Sequence, residues 1–261
     1  MTVRPDAAHA VAADPGQAGL ICDFDGVLAP IVEDPGTSAM PRGVEQTIER
    51  LGKRLGLLAI VSGRPLAFLR ERVRLTGIPL LGSYGIEQLR DGEPYLAPEA
   101  RRWLPTVQSA SEQLKTTFRS WPGIRIEDKA VSVAVHWRQA ERPDEAARQI
   151  RQVTAQIAAA SGLRVEPGKL VEELRPPIDV DKGTALAILL GGERLSTVVY
   201  VGDDLGDIPA LKAVRQAGGY ALVVDHGAET DSQLLALADQ VFSGTAEFAA
   251  WLGKLADSTG A

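Results

Sequence analysis

Two carboxylates spaced i, i+2, Asp23 and Asp25, follow a short apolar run and precede a glycine in Leu20-Ile21-Cys22-Asp23-Phe24-Asp25-Gly26. In a continuing strand that spacing puts both side chains on one face. Here the pair falls where the apolar run stops, so the backbone can curl and aim both acids at one point. Two acids at one point divide labour, one ionised and one able to carry a proton. Gly26 lets the backbone approach a ligand closely. The same residues also read as an acidic turn that closes a strand and faces water.

Two further apolar runs end in polar groups. Residues 57–61 lead into Ser62-Gly63-Arg64-Pro65, and residues 197–201 lead into Gly202-Asp203-Asp204-Leu205-Gly206-Asp207. Lys182 opens a helical pattern after Pro176-Pro177. Taken singly, Ser62 is a helix cap, Lys182 a solvated charge, and Asp203, Asp204 and Asp207 a turn with its cap. Taken together they change meaning, because open parallel sheets bind ligands outside the carboxyl ends of their strands. Clustered carboxylates repel one another unless a cation lies among them, and hard oxygen donors suit Mg2+. Ser62 at a helix N-terminus and the Lys182 ammonium would donate to an oxyanion such as phosphate. Carboxylates, Mg2+ and anion donors make a phosphoryl-transfer site.

The elements that must position these residues follow from hydrophobic periodicity. Residues 20–24 and 57–61 read as buried strands. A helix over 43–55 follows the first, with Val44, Ile48, Leu51 and Leu55 on one stripe. Another, carrying Leu66, Leu69 and Val73, follows the second, with Pro65 in its first turn. This order predicts a parallel sheet with crossovers. From about residue 88 to 175 the pattern changes. A helix over 100–119, an alternating strand at 131–138, a helix over 143–160 and a hairpin around Pro167-Gly168 read as a small α+β unit. Parallel order resumes with helix 182–190, strand 197–201, helix 209–216, strand 220–224 and helix 246–255. The fold expected is α/β: a parallel-sheet, Rossmann-like core over 19–87 and 176–261, with a cap inserted at 88–175. In the cap, Ser132, His136 and Arg138 share one strand face. Glu127 and Lys129 have the opposite parity and join that face only if the chain turns near Asp128.

The chain has 261 residues, 45% hydrophobic and 24% charged, with a net charge of -6. It has material for a sizeable core, and no basic block suggests nucleic acid or an anionic membrane. Its single cysteine, Cys22, excludes an intramolecular disulfide and fits a reducing compartment. No apolar run approaches the ~20 residues that span a bilayer. Residues 1–18 lack the features of a signal peptide and read as a disordered tail. The expectation is a cytoplasmic monomer acting on a small molecule.

Asp23-Phe24-Asp25-Gly26, Ser62, Lys182 and Gly202-Asp203-Asp204 resemble, in order, the four motifs of the haloacid dehalogenase superfamily of phosphatases, and the second acid marks the phosphatase branch. Between the second and third motifs the insertion resembles the larger α/β cap. Further residues narrow the resemblance to the trehalose-6-phosphate phosphatase family: Ser62-Gly63-Arg64, Glu127-x-Lys129-x-x-Ser132-x-x-x-His136-x-Arg138, Gly168-Lys169 with Glu173-Leu174-Arg175-Pro176, and Asp181-Lys182-Gly183. It extends from Leu20 to about Leu255.

That resemblance implies Mg2+-dependent hydrolysis of trehalose 6-phosphate through an aspartyl phosphate. Asp23 would attack phosphorus and Asp25 would protonate the departing sugar oxygen. Mg2+ would bind Asp23, the Asp25 carbonyl and Asp203, with Asp204 or Asp207 direct or through water. Ser62 and Lys182 would hold phosphoryl oxygens. Arg64, Glu87, Glu127, Lys129, His136, Arg138 and Glu173 would bind the sugar phosphate. The chain departs from the family at Val27 (usually Thr), Tyr84 (usually His), Leu211 (usually Phe) and Leu205-Gly206-Asp207-Ile208. Tyr84 leaves open another phosphorylated disaccharide or a trehalose-like pseudodisaccharide as substrate. Other classes are a non-catalytic sugar-phosphate sensor, which intact Asp23, Asp25 and Lys182 argue against, and a phosphotransferase or mutase.

Overall fold

A computed structural model describes residues 5–261 except 91, 169 and 193. Residues 1–4 of the expected tail and Lys169 of the cap motif therefore lie outside the described residues. The chain divides into two units, one comprising residues up to Tyr95 together with Val180–Ala261, the other Leu96–Asp179.

In chain order the first part contains α1 (Ala7–Ala13), β1 (Ala18–Cys22), α2 (Arg42–Gly52), β2 (Leu57–Val61), α3 (Leu66–Arg72), β3 (Leu80–Gly82), β4 (Glu87–Arg90) and β5 (Glu93–Leu96). The smaller unit then holds α4 (Pro98–Arg101), α5 (Leu104–Thr117), β6 (Arg125–Asp128), β7 (Val133–His136), α6 (Pro143–Ser161), β8 (Arg164–Gly168) and β9 (Val171–Arg175). The larger unit resumes with α7 (Lys182–Leu190), β10 (Thr197–Gly202), α8 (Ile208–Gln216), β11 (Tyr220–Asp225), α9 (Ser232–Leu237), β12 (Gln240–Ser243) and α10 (Gly244–Ser258).

The larger unit carries one sheet in the order β12-β11-β10-β1-β2-β3-β4-β5. Pairing is parallel from β12 to β3, and β4 turns back antiparallel to β3. The inner strands are apolar on both faces, as a sheet covered by helices on each side requires. Leu20, Cys22, Ile60 and Val201 pack with residues of α2 and α10. Ile21, Ala59, Val61 and Tyr200 pack on the other face with residues of α7 and α8. Because β1 lies between β2 and β10, the crossover direction reverses beside it, and that switch point opens a crevice at the strand ends.

Three expectations change. The stretch 5–18 is not a disordered tail: Asp6 caps α1 by accepting the His9 N–H at 2.8 Å. Ala7 and Val11, one helical turn apart, are buried in the main core. The insertion begins later, because β4 and β5 extend the large sheet rather than the small one. Finally, the helix expected over 100–119 is two helices. Pro105, in the first turn of α5, has no N–H to bond back to a preceding turn.

The smaller unit is a four-stranded antiparallel sheet, β6-β7-β9-β8. Val133, Val135 and Leu174 pack against α5 and α6 through Val107, Leu114 and Ile150. Among the described residues no helix is long and apolar enough to cross a membrane.

Candidate active site

Three strand ends and one helix start meet in the larger unit. Cys22 pairs with Val201 in the β1–β10 register, and the next residue, Asp23, donates its backbone N–H to Val201 O at 2.9 Å. This registers Asp23 beside the loop that carries Asp203. Lys182 is the first residue of α7, whose N-cap Asp181 forms a reciprocal capping box with Thr184. A side chain at Gly183 would lie 2.8 Å from Pro209 O, so glycine permits the close approach of α7 to the start of α8. Lys182 is thereby 2% exposed.

Its ammonium lies 2.8 Å from Asp23 Oδ2 and 2.8 Å from Asp207 Oδ1. Burial would push this lysine down, but the charges of Asp207 and Asp23 reverse the effect and hold it well above the ordinary value. Asp207 accepts from Tyr200 Oη at 2.6 Å and, on Oδ2, from the N–H groups of Asp203 and Asp204 at 3.0 and 3.2 Å. Burial opposes its charge, yet Lys182 and these donors outweigh burial and hold its carboxyl below the usual range. Asp23 is pushed the other way, up to about 8, first by burial and then by the charges of Asp207 and Asp204, which Lys182 only partly offsets. Burial and the Asp23 charge raise Asp203 to about 9.

A hard cation fits this donor set. Asp23, Asp203 and Asp207 each bring a carboxylate oxygen within 4.8 Å of the others. Asp203 Oδ1 is buried and accepts no hydrogen bond among the described residues, a costly state that a cation would relieve. Both oxygens of Asp207 are already committed, so it orients Lys182 and the 203–204 backbone. Asp204, with its side chain 65% exposed, caps the single turn that follows through the Gly206 N–H at 2.9 Å.

The Asp25 side chain is engaged by Arg64 and Ser38. Arg64 grips it through Nε to Oδ2 at 2.6 Å and through its terminal nitrogen to Oδ1 at 3.0 Å, and Ser38 Oγ donates to Oδ1 at 2.7 Å. The Arg64 guanidinium also stacks on Phe68, 4.5 Å from the ring centre. Ser62 follows β2, buried, with its Oγ accepting the Arg64 N–H at 3.1 Å.

Left-handed backbone at two non-glycine residues, Ser83 (φ 50°) and Tyr84 (φ 60°), clamps this loop. Their N–H groups donate to Arg64 O at 2.8 Å and Ser62 O at 2.9 Å. Such conformations cost about 1–3 kcal/mol each and persist where surrounding contacts enforce them. The Tyr84 ring lies against Gly63, where any side chain would stand 2.9 Å from Tyr84 Cζ. Glu87, expected among the substrate-binding residues, has partners within the protein. It is buried, and its Oε2 accepts from Ser83 Oγ at 2.5 Å and from the Leu66 N–H at 3.3 Å, so it secures the start of α3.

The remaining expected residues lie in the smaller unit. Register pairs Arg125 with His136 and Glu127 with Ala134, and Ala134 in turn with Glu173. Glu127, His136 and Glu173 therefore share one face, although their numbers differ in parity. Parity fails across the hairpin because pairing register, not residue number, decides which side chains lie opposite. His136 Nε2 lies 2.7 Å from Glu127 Oε2, and this bond leads in lowering the Glu127 carboxyl below its usual range. Glu173 accepts from Lys129 Nζ at 2.5 Å and Ser132 Oγ at 2.5 Å. Arg138 lies two residues beyond β7, exposed.

A trehalose-phosphatase family model matches residues 21–239. The chain belongs to the trehalose-phosphatase family. It is 35% identical to a trehalose-phosphate phosphatase of Mycobacterium marinum over 269 residues, covering 98% of this chain and 67% of that protein. The chain thus spans about two thirds of the length of this curated relative. A solved structure described as a trehalose-6-phosphate phosphatase related protein superposes with a TM-score of 0.77 at 25% identity, over 92% of this chain and 97% of the other. A haloacid dehalogenase-like hydrolase from Bacteroides thetaiotaomicron shares the fold, with a TM-score of 0.62 at 16% identity over 92% and 99% of the two chains. Proteins named trehalose-phosphate phosphatases are phosphoric monoester hydrolases.

In this trehalose-phosphatase family member, the motif residues have partners that sequence reasoning missed. Ser38 reaches Asp25 from a loop, and the Tyr200 hydroxyl reaches Asp207 from inside a strand that reads as plain core. His226 follows β11, a fourth strand end beside the site, and lies 3.5 Å from Asp203 Oδ2. The signal for it was available, since residues 220–224 form another buried run that ends in polar residues.

Proposed function

We propose that the chain hydrolyses trehalose 6-phosphate to trehalose and phosphate with Mg2+ as cofactor. The family match over most of the chain supports the substrate. The observation that supports the chemistry is the Asp23–Lys182–Asp207 chain beside an Asp203 oxygen with no hydrogen-bond partner among the described residues. Asp23 is the nucleophile, attacking phosphorus to form an aspartyl phosphate while the P–O bond to the sugar breaks. Lys182 and Ser62 donate to the phosphoryl oxygens, where negative charge collects. Asp25 gives its proton to the departing sugar oxygen and takes one from the water that hydrolyses the intermediate. Both Asp25 oxygens are engaged by Arg64 and Ser38, so this service requires one of them to be released. Asp23, Asp203 and the Asp25 carbonyl would hold Mg2+, which when bound neutralises phosphate charge. On the smaller unit, Glu127, Lys129, His136 and Glu173 supply the donors and acceptors that sugar hydroxyls need.

With Mg2+, the purified protein should release phosphate from trehalose 6-phosphate about 100-fold or more faster than from glucose 6-phosphate, because groups left unpaired by the smaller sugar are costly. Equal rates would refute the substrate. A faster reaction with a pseudodisaccharide phosphate would favour the alternative that Tyr84 leaves open.

Metal binding should depend on pH in a defined direction. Asp23 at about 8 and Asp203 at about 9 retain protons in the metal-free fold at neutral pH. The unfolded chain releases those protons near the ordinary carboxyl value of about 4, so the folded state binds more of them above it. The contribution of these two groups to metal-free stability is therefore greatest at low pH and declines as pH rises toward 9. Mg2+ relieves the charge that causes this decline. The rise in unfolding temperature produced by Mg2+ should be larger at pH 9 than at pH 6; equal shifts in calorimetry would contradict the assignment.

A further inference from the structure

His226 stands just past β11, with its side chain 17% exposed. Its main chain is pinned where its N–H donates to Thr230 Oγ1 at 2.7 Å. Its Nε2 lies 2.9 Å from Gly26 O and 3.5 Å from Asp203 Oδ2. A carbonyl oxygen only accepts, so Nε2 carries the hydrogen and donates it to Gly26 O, with the Asp203 carboxylate beside the same nitrogen. Gly26 itself is left-handed (φ +73°), and a side chain there would stand 1.9 Å from Asp203 Oδ2. One oxygen of Asp203 is thus held against the Gly26 backbone beneath the imidazole, while the other, Oδ1, is buried and bonded to nothing among the described residues.

We propose that His226 is a positioning residue for the divalent-cation site: its Nε2–H, donated to Gly26 O, pins the loop after β1 against Asp203, leaving Asp203 Oδ1 presented to the cation. The inference rests on the Mg2+ site proposed above. It joins loops from three strands, β1, β10 and β11, through one side chain. The turn that the imidazole holds also contains the Asp25 carbonyl, one residue before Gly26. Loss of the bond would let both the turn and the Asp203 carboxylate rotate, so two of the three proposed oxygen donors would need reordering before a cation could bind. Hydrogen bonds that orient ligands in this way are worth about 10- to 100-fold in metal affinity.

The test is isothermal titration of the full chain with Mg2+, repeated by the spin resonance of bound Mn2+, for wild type, His226→Phe and His226→Gln. His226→Phe should bind both ions about 10-fold or more weakly, and the Mg2+ concentration for half-maximal activity should rise by the same factor. kcat at saturating Mg2+ should change by less than about threefold. His226→Gln retains an N–H within reach of Gly26 O and should recover most of the affinity. His226→Phe binding as tightly as wild type would overturn the role of His226. So would a Gln variant as weak as the Phe variant, with equally lowered metal-free unfolding temperatures, because that pattern reports packing alone. Wild type that binds neither ion would overturn the metal assignment, and the inference with it.

Discussion

Asp23→Asn is expected to abolish phosphate release, by about 10^4-fold or more, as loss of a nucleophile does elsewhere, while leaving the fold intact. The second half follows from the electrostatics. With its carboxyl raised to about 8, Asp23 is already largely protonated in the metal-free site at neutral pH. A neutral amide of the same shape therefore replaces a largely neutral acid. The Phe24 N–H, which donates to Asp23 Oδ1 at 2.6 Å, keeps an oxygen acceptor; the amide nitrogen then replaces Oδ2, 2.8 Å from the Lys182 ammonium, and the two donors must move apart, while Lys182 keeps Asp207. Metal-free stability at pH 7 should fall by about 1–3 kcal/mol, the cost of a buried donor that loses its acceptor, which leaves the fold intact. Phosphate release from trehalose 6-phosphate, with thermal unfolding on the same samples, checks both halves. Retained turnover would overturn Asp23 as the nucleophile.

The second large effect is on stability. Lys182→Met keeps the length and apolar stem but removes an ammonium that lies 2.8 Å from both the largely protonated Asp23 and the ionised Asp207. Deleting one member of a buried ion pair costs about 3–5 kcal/mol, because the partner is left charged and desolvated. Asp207 would carry most of that cost, since Lys182 is the main influence holding its carboxyl below the usual range against burial. Pairing Lys182→Met with Asp207→Asn should recover part of the stability, because the stranded charge is removed, and none of the activity, because the phosphoryl donor is still absent. Chemical unfolding of both variants at pH 7 decides the point. A single variant as stable as wild type would show that Asp207 has shed its charge without penalty. A double variant that regained turnover would remove Lys182 from the proposed chemistry.

These two residues also mark how much of the site could be read in advance. Asp23, Ser62, Asp203 and Lys182 each stand at the end of an apolar run or the start of a periodic one. Such boundaries are local events, set by where hydrophobic patterning stops. Parallel strands place their carboxyl ends together, so recognising the order of elements was enough to expect convergence. The roles of Asp25 and Glu87 were not local in this sense. Asp25 is held by Arg64 from the next strand end and by Ser38 from a loop. Glu87, which has the composition of a ligand, is absorbed by Ser83 and the start of α3. Nothing in the nearby sequence distinguishes a carboxylate that caps a buried helix from one that meets a sugar.

The smaller unit makes the same division clear. Alternation along 131–138 located the strand and its polar face, because side chains on a strand alternate with a period of two. Whether Glu127 shares that face was beyond any count along the chain, since the hairpin register decides it, and register pairs Arg125 with His136. By itself, then, the sequence determined the class of fold, the order of the chemical groups and the family, all of which are encoded in periodicity and in short motifs. Only the tertiary structure decided which acids share Lys182, which are spent on structure, how His226 reaches Gly26 across two hundred positions, and how far the carboxyls of Asp23 and Asp203 are raised. The physical reason is that burial, charge proximity and hydrogen-bond partnership are properties of distance in space, and residues far apart in the chain set them.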